Sequence, residues 1–223
     1  MALDAERAAR RRKLAWLVVP MIAFAVSANL ANAFSPWLLV REPVWLIALS
    51  SRIRWLVLVS PRLDPLTFFA IPMVRLLAVA AVYYVLGDRY GDRSVRWLES
   101  KMGGASKPIL WIERQFHRAR YAVIFLLPAG PFVSLLAGAD KMPPKAYYGT
   151  TVAGLLARLL VIRLVAEAFS GVILDVTDWI ADNQIWLTGI SFLTVAGFAL
   201  WSQRSGRGEI ESVDEIAEEL GET

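Results

Sequence analysis

The segment YAVIFLLPAGPFVSLLAGA (residues 121–139) is apolar and long enough to cross a bilayer, but Pro128-Ala129-Gly130-Pro131 divides it at its centre. Proline lacks the backbone N–H and fixes φ, so a straight helix is not expected to continue through this point. A chain that turns back at membrane depth must be covered by protein or water, because lipid satisfies no backbone polar group. We therefore expect a helical hairpin that enters and leaves on one side, with Pro128, Gly130 and Pro131 at its tip. The alternative is a kink in an ordinary span.

Four other apolar segments are expected to span the membrane. They are residues 14–33, 65–86, 146–171 and 185–201. Residues 34–64 lie between the first two spans and contain only short apolar stretches, none of which can cross a core about 30 Å thick. The interruptions are Arg41-Glu42-Pro43, Ser50-Ser51-Arg52 and Ser60-Pro61-Arg62. This pattern favours a second re-entrant element, and an apolar loop outside the membrane is the alternative.

The composition excludes several functional classes. The chain has 223 residues, of which 57% are hydrophobic, and its mean hydropathy is +0.48. Soluble domains have about 45–50% apolar residues. With no cysteine and a single histidine, His117, neither disulfide scaffolds nor cysteine or multi-histidine metal centres are expected. We expect no cofactor. No nucleophile–histidine–acid set, P-loop or H-E-x-x-H motif is present, so enzymatic activity is not expected.

The positions of Lys and Arg predict the orientation. Residues 1–13 and 87–120 are rich in both, whereas residues 172–184 contain neither. By the positive-inside rule, the N-terminus (1–13) and an acidic tail (202–223) are cytoplasmic and flank a membrane domain (14–201). The net charge of +4 therefore reflects membrane orientation, and no nucleic-acid partner is expected. A cleaved signal peptide ending at Ala31-Asn32-Ala33 is the alternative for the first span. Tryptophans near the proposed interfaces, including Trp37 and Trp186, agree with an aromatic belt.

A weak internal repeat relates the two halves of the chain. At a shift of 80 residues, LVLVSPRLDPLTFF (56–69) aligns with LLAGADKMPPKAYYG (135–149). Each is an apolar run, then a short charged break containing proline, then an aromatic pair that opens a long span. In the predicted topology the first hairpin enters from outside and the second from inside, so the halves would be inverted. Inverted repeats with interrupted segments are typical of many transporters.

Charged residues inside the proposed spans are the main functional candidates. Arg75 and Arg158 lie near the midplane, and neither has an acidic residue three or four positions away. A central arginine costs about 2.5–3.5 kcal/mol on insertion scales. Each guanidinium therefore either binds a phosphate bidentately, or snorkels, or donates to a hairpin carbonyl. Arg163 has Glu167 at i+4, which predicts a structural pair.

Two motifs resemble those of the DedA superfamily, whose members carry the VTT (SNARE-associated) domain. YYVLGDRYG (83–91) is similar to its aromatic-x-x-x-Gly-x-Arg-x-x-Gly-type motif at a span exit, and FLLPAGPFVSLLAGADKM (125–142) is similar to its Pro-centred second re-entrant segment. The similarity covers about residues 35–175. It implies two opposed re-entrant hairpins and the movement of lipids or lipid-linked phosphates between leaflets, in some members driven by protons. The motif residues are Gly87, Asp88, Arg89 and Gly91.

The chain also departs from that family. Phe125 and Pro131 stand where many members have arginine on either side of the hairpin proline, and Glu42 and Asp64 match the family's acidic pair only loosely. Asp88 and Arg89 are expected to fasten the second span to a surface helix over 92–102. Gly87 and Gly91 are expected to permit close backbone approach.

We therefore expect an all-α polytopic protein with about four transmembrane helices and two opposed re-entrant hairpins. The expected function is a lipid or lipid-linked phosphate translocase or scramblase of the bacterial inner membrane, in which Arg75 and Arg158 meet the head group of a phospholipid or polyprenyl-phosphate-type lipid. One alternative is a proton-coupled small-solute transporter, with Glu42, Asp64 or Glu167 titrating. Another is a non-transporting scaffold that recruits partners through its acidic tail and basic surface helices. Homo-oligomerisation stays open.

Overall fold

The computed structural model describes residues 2–101 and 107–204, and within them every regular element is helical. Most of the acidic tail, residues 205–223, lies outside the described residues, so no expectation about it is tested. The helices are α1 (Ala2–Ala33), α2 (Ser35–Arg41), α3 (Pro43–Leu49), α4 (Ile53–Val59), α5 (Pro65–Tyr90), α6 (Asp92–Lys101), α7 (Lys107–Leu126), α8 (Pro131–Ala139), α9 (Pro144–Ala168), α10 (Ser170–Asp182) and α11 (Gln184–Arg204), with a 3₁₀ turn at Ser60–Arg62. The all-α prediction is confirmed.

Two of the described helices, α5 and α9, are long and apolar enough to cross a membrane. A third candidate is the bent pair of Val18–Ala33 and α2, whose axes differ by 80°. Helix α11 carries a shorter apolar stretch, Gln184–Phe198. These lengths and compositions are those of a membrane protein with two to three crossing helices.

The interruptions predicted in residues 34–64 are confirmed. Helices α2, α3 and α4 have seven residues each and are separated at Glu42 and at Ser50–Arg52. Glu42 has φ −141° and ψ 62°, outside the helical region, because a residue that precedes proline disfavours that region. Pro43 then occupies the first turn of α3, where its missing N–H costs nothing.

The predicted break at Pro128–Pro131 is also confirmed. Helix α7 ends at Leu126, Ala129 takes a left-handed φ of 57°, and α8 begins at Pro131 and packs against α7. Inside α7, Ala119 has the non-helical angles φ −146° and ψ 52°. This dihedral break lies next to Arg120, immediately before the apolar segment 121–139.

The sequence treated residues 172–184 only as a connection free of Lys and Arg, but most of them form α10. Asp175, Asp178 and Asp182 recur at i, i+3 and i+7 and therefore share one face, while Ile173 and Thr177 are buried on the other. The preceding span ends at Ala168, three residues earlier than predicted, because Phe169 leaves the helical region with φ −108° and ψ 19°.

The described chain divides into two compact units. The α2–α4 unit comprises Ala23–Arg75 and residues 156–204, and the α7–α8 unit comprises residues 2–22 and Leu76–Leu155. The core of the α2–α4 unit draws side chains from the short helices and from halves of the two long ones. Its buried members are Ala31, Leu38, Leu39, Leu46, Ile47, Leu56, Val59, Phe68, Leu159 and Ile162.

Glycines set the helix packing in the α7–α8 unit. A Cβ on Gly87 would overlap the carbonyl oxygen of Leu135, and a Cβ on Gly138 would overlap that of Tyr84. Helices α5 and α8 therefore touch backbone to backbone at this crossing. Gly154 of α9 is equally close to α7, because its Cβ would lie 2.5 Å from the Phe125 carbonyl oxygen.

Alanine at either side of the α5–α8 crossing is expected to destabilise the protein. Gly87→Ala and Gly138→Ala each place a methyl group against main-chain atoms that cannot rotate away, and overpacking of this kind costs about 1–3 kcal/mol or more. Thermal unfolding in detergent, followed by intrinsic tryptophan fluorescence, measures the loss. Gly149→Ala in α9 is the matched control, since its Cβ meets nothing within 4 Å and alanine favours a helix. If Gly149→Ala lowered the melting temperature as much as the two variants do, the backbone contact between α5 and α8 would be contradicted.

Candidate functional site: the arginines of the long helices

Arg75 lies ten residues into α5, about 15 Å from its start at 1.5 Å per residue, and is half-buried. Its Nη1 donates to the carbonyl oxygen of Ala48 at 2.6 Å, and its Nη2 donates to Ser27 Oγ at 3.1 Å and to the Phe24 carbonyl at 3.4 Å. The guanidinium carbon also lies 5.4 Å from the centre of the Phe24 ring. The protein's own acceptors therefore occupy this guanidinium.

Ala48 lies in the last turn of α3, where carbonyl groups have no partner within the helix. A cation at a helix C-terminus is also favoured by the helix dipole. Arg75 thus fastens the end of α3 to a long helix, which corresponds to the carbonyl alternative in the sequence analysis.

Arg163 of α9 acts in the same way further along the broken segment. Its Nε donates to Glu167 Oε1 at 2.8 Å, so the predicted i,i+4 pair is present. Its Nη1 donates to the carbonyl oxygens of Leu63 at 3.1 Å and Ser60 at 3.5 Å, and its guanidinium lies over the Phe68 ring at 5.4 Å. Sequence reasoning missed these carbonyl contacts. The signal that could have found them is the number of helix ends in residues 34–64, since each leaves unpaired carbonyls.

Arg158 differs from Arg75 and Arg163 in its contacts. It lies ten residues before the end of α9, about 15 Å from that end, and is half-buried. It shares the face of α9 that carries the buried Leu155 and Ile162, three residues before it and four after. Within the described part of the chain, its guanidinium has no hydrogen bond or ion pair. The arrangement leaves a cation deep in a long apolar helix without a counter-charge among residues 2–101 and 107–204.

The three acidic candidates lie in three unrelated local environments. Asp64 caps α5, because its Oδ1 accepts the Thr67 N–H at 3.0 Å. Hydrogen bonds from the Thr67 side chain and then its backbone hold the pKa of Asp64 below its usual range, so this carboxylate is ionised at neutral pH. Glu42 is exposed at the turn between α2 and α3 and makes no capping hydrogen bond. Glu167 is paired with Arg163.

The motif residues at the end of α5 have separate roles. Gly87 permits close approach, as predicted, but Gly91 instead supplies a left-handed φ of 54° in the turn before α6. Asp88 ties α5 to the turn after α8, not to α6: Lys141 Nζ donates to its carboxylate at 3.1 Å and also to its carbonyl oxygen. Arg89 is exposed.

The hairpin tip residues are held by local geometry. Gly130 has an extended conformation (φ −65°, ψ 131°) and precedes Pro131, which opens α8. Ser134 Oγ donates back to the Gly130 carbonyl at 2.8 Å, and Pro128 lies in the turn itself.

No protein-family model matches the chain, and neither a curated protein nor a solved structure matches it. Within residues 2–101 and 107–204, no group of three or more acidic or histidine side chains could hold a metal ion. The geometry of the arginines is therefore the basis on which the function is proposed.

Removing Arg75 is expected to destabilise the protein, whereas removing Arg158 is not. Arg75→Ala loses charge-assisted hydrogen bonds and leaves the Ala48 carbonyl unpaired, at a cost of about 1.5–3 kcal/mol. Arg158→Ala removes a half-buried charge that has no described partner, so the melting temperature in detergent should stay the same or rise. An Arg158→Ala protein that melts as low as Arg75→Ala would contradict this assignment.

The cap at Asp64 predicts a pH-dependent stability. Because its pKa is lowered in the folded state, its contribution is complete above the unfolded value of about 3.9 and is lost as the pH falls through the folded value. Asp64→Asn keeps a capping side chain but removes the charge. Its melting temperature should therefore be lower than that of the wild type at neutral pH, and the difference should shrink below about pH 4. Glu42→Gln is the control and should leave the neutral-pH melting temperature unchanged. If the difference in melting temperature between Asp64→Asn and the wild type were the same at every pH, the prediction would be wrong.

Proposed function

We propose that this chain moves a lipid or lipid-linked phosphate between leaflets, as a translocase or scramblase, and that Arg158 binds the anionic head group during the crossing. The observation that carries the proposal is the half-buried Arg158 guanidinium, which has no partner among the described residues. An arginine at that depth is costly, and intramembrane charges commonly mark substrate pathways. A phosphate group offsets the charge, and a guanidinium can bind it bidentately.

The polar atoms near the short helices support a path for a head group. Ser50 Oγ, Ser60 Oγ and Trp55 Nε1 are buried, and none has a hydrogen-bond partner in the described protein. All three belong to the α2–α4 unit, as does Arg158. Leaving a buried polar atom unpaired costs about 1–3 kcal/mol. A head group or its water would satisfy atoms that lipid tails cannot.

The proposed topology has four transmembrane helices, the fourth being α11, and two re-entrant hairpins. Each seven-residue helix of α2–α4 is about 10 Å long and α8 is about 14 Å long, so none of them crosses a bilayer alone. Each hairpin shares its compact unit with one half of α5 and one half of α9. The internal repeat and the DedA-like motifs are the basis for proposing that the two hairpins are opposed and inverted. The distribution of Lys and Arg supports an orientation with both termini cytoplasmic. The excess of Arg over Lys and the absence of cysteine support a bacterial inner membrane protein.

The contacts of the acidic candidates favour this function over proton-coupled solute transport. Asp64 has its carboxylate engaged as a helix cap, and Glu167 is engaged with Arg163. Glu42 is exposed at a turn. None of them is an isolated buried carboxyl group of the kind that proton relays use.

The test is lipid scrambling in proteoliposomes, with a fluorescent phospholipid and a membrane-impermeant quencher and without an ion gradient. Wild-type protein should expose inner-leaflet lipid faster than empty liposomes. Arg158→Ala should slow it about tenfold to a hundredfold, the effect of losing a charge-assisted contact of about 1.5–3 kcal/mol. Arg158→Lys keeps the charge but loses the bidentate geometry, so it should retain intermediate activity.

Other outcomes separate the alternatives. If wild type behaves as empty liposomes do, passive scrambling of that lipid is wrong, and a flux that follows a pH gradient would support the proton-coupled transporter. If folded Arg158→Ala scrambles at the wild-type rate, the head-group role of Arg158 is wrong. Comparison with Arg75→Ala, whose partners are the protein's own carbonyls, separates a substrate contact from a loss of structure.

A further inference from the structure

The α2–α4 unit contains an open apolar groove of about 560 Å³. It is lined by Leu30, Phe34, Trp37, Leu38, Leu49 and Thr188. The groove lies at the break at Phe34, where α1 and α2 meet at 80°, and α11 packs alongside α2. Its volume is within the range of small-ligand sites, about 300–1,000 Å³.

The chemistry of the groove fits an amphiphile. Nearly all of the lining is aliphatic or aromatic, and Phe34 and Trp37 remain exposed. On α11, Thr188 Oγ1 and Gln184 Oε1 lie one helical turn apart, and both are buried without a hydrogen-bond partner in the described protein. Of these two residues only Thr188 lines the groove, and every other lining side chain is aliphatic or aromatic.

The surroundings indicate which amphiphile it is. Apolar segments of α1, α2 and α11 surround the groove, so in a membrane the phase at its opening consists of acyl chains. Trp37 lines the groove, and tryptophan is enriched at the head-group level. Trp186, an exposed residue between Gln184 and Thr188, places the start of α11 at the same level. Thr188 would then lie near the ester groups of a lipid.

We propose that this groove binds one acyl chain of a membrane phospholipid, with Thr188 next to its ester region. The binding of an acyl chain is inferred from the shape and the apolar lining of the groove and does not require the proposed function. That the bound lipid is one about to be translocated rests on the proposed function. In that reading the groove holds the chain by its carbon, while Arg158 recognises the head group by its charge.

The test is photo-crosslinking of the full-length protein in vesicles of phosphatidylethanolamine and phosphatidylglycerol, with a trace of phosphatidylglycerol that carries a diazirine at the end of one acyl chain. Peptides are mapped by mass spectrometry. Label should concentrate on residues 30–38 and 184–193 relative to exposed residues of α9 such as Leu160 and Leu164. Label spread evenly over all the lipid-facing helices would overturn the proposal.

A variant that fills the groove sharpens the test. Leu30 is 50% exposed, so Leu30→Trp can place a larger ring in the groove without entering the core. It should reduce labelling of the groove peptides about tenfold, as expected from excluding two methylene groups. Val26→Trp is the matched control, because Val26 lies one turn earlier on α1, is 39% exposed and does not line the groove. Unchanged labelling in folded Leu30→Trp would overturn the proposal.

The outcomes distinguish this proposal from the proposed function. If Leu30→Trp does not fold, the distribution of crosslinked peptides in the wild-type protein is sufficient to test the proposal. Groove-specific label without any scrambling supports the groove and rejects the translocase. Scrambling that depends on Arg158, with evenly spread label, rejects the groove and keeps the translocase. Specific label with a diazirine-bearing polyprenyl phosphate but not with the phospholipid would also reject the phospholipid chain as the occupant.

Discussion

The need to pair backbone carbonyls in short, interrupted helices shapes the whole α2–α4 unit. Every helix leaves its last four carbonyl groups without internal partners, and lipid offers none. Three helices of seven residues therefore create an unusually high demand for donors over a short segment. Side chains meet part of it locally, as when Ser51 Oγ donates to the Ile47 carbonyl at 2.8 Å. The long helices meet another part, through the guanidinium groups of Arg75 and Arg163.

The α7–α8 unit depends on shape more than on donated hydrogen bonds. Gly87, Gly138 and Gly154 remove the side chains that would hold the backbones apart, and close approach maximises van der Waals contact. Tyr84 reinforces the same crossing, because its hydroxyl donates to the Met142 carbonyl at 2.5 Å and its ring stacks on Tyr147 at 4.5 Å between centres. The chain thus holds one broken segment by arginine contacts with carbonyls and the other by glycine packing.

The features that the sequence predicted correctly are local ones. Proline and clustered serine or charged residues interrupt helices through steric and hydrogen-bonding effects within a few residues, so the breaks at residues 41–43 and 128–131 could be read directly. The partners of Arg75 could not be predicted from the sequence, since Ala48 and Ser27 are 27 and 48 residues away along the chain. Helix α10 was missed because residues 172–184 were considered only for their lack of Lys and Arg, and not for the single polar face that their three aspartates form. The groove depends on the angle between α1 and α2, which no local pattern specifies.

The proposed role of Arg158 rests on a comparison of its contacts with those of Arg75 and Arg163. Arg75 and Arg163 show that this protein can satisfy a guanidinium at depth, with carbonyls, a carboxylate and aromatic rings. Arg158 lies as many residues from the end of α9 as Arg75 lies from the start of α5, yet none of these acceptors reaches it among the described residues. An arginine that only snorkelled would be expected on a lipid-facing side, whereas Arg158 shares the buried face of α9. A half-buried charge without a partner is costly to retain, and under the proposed function the phosphate of a lipid head group offsets that cost.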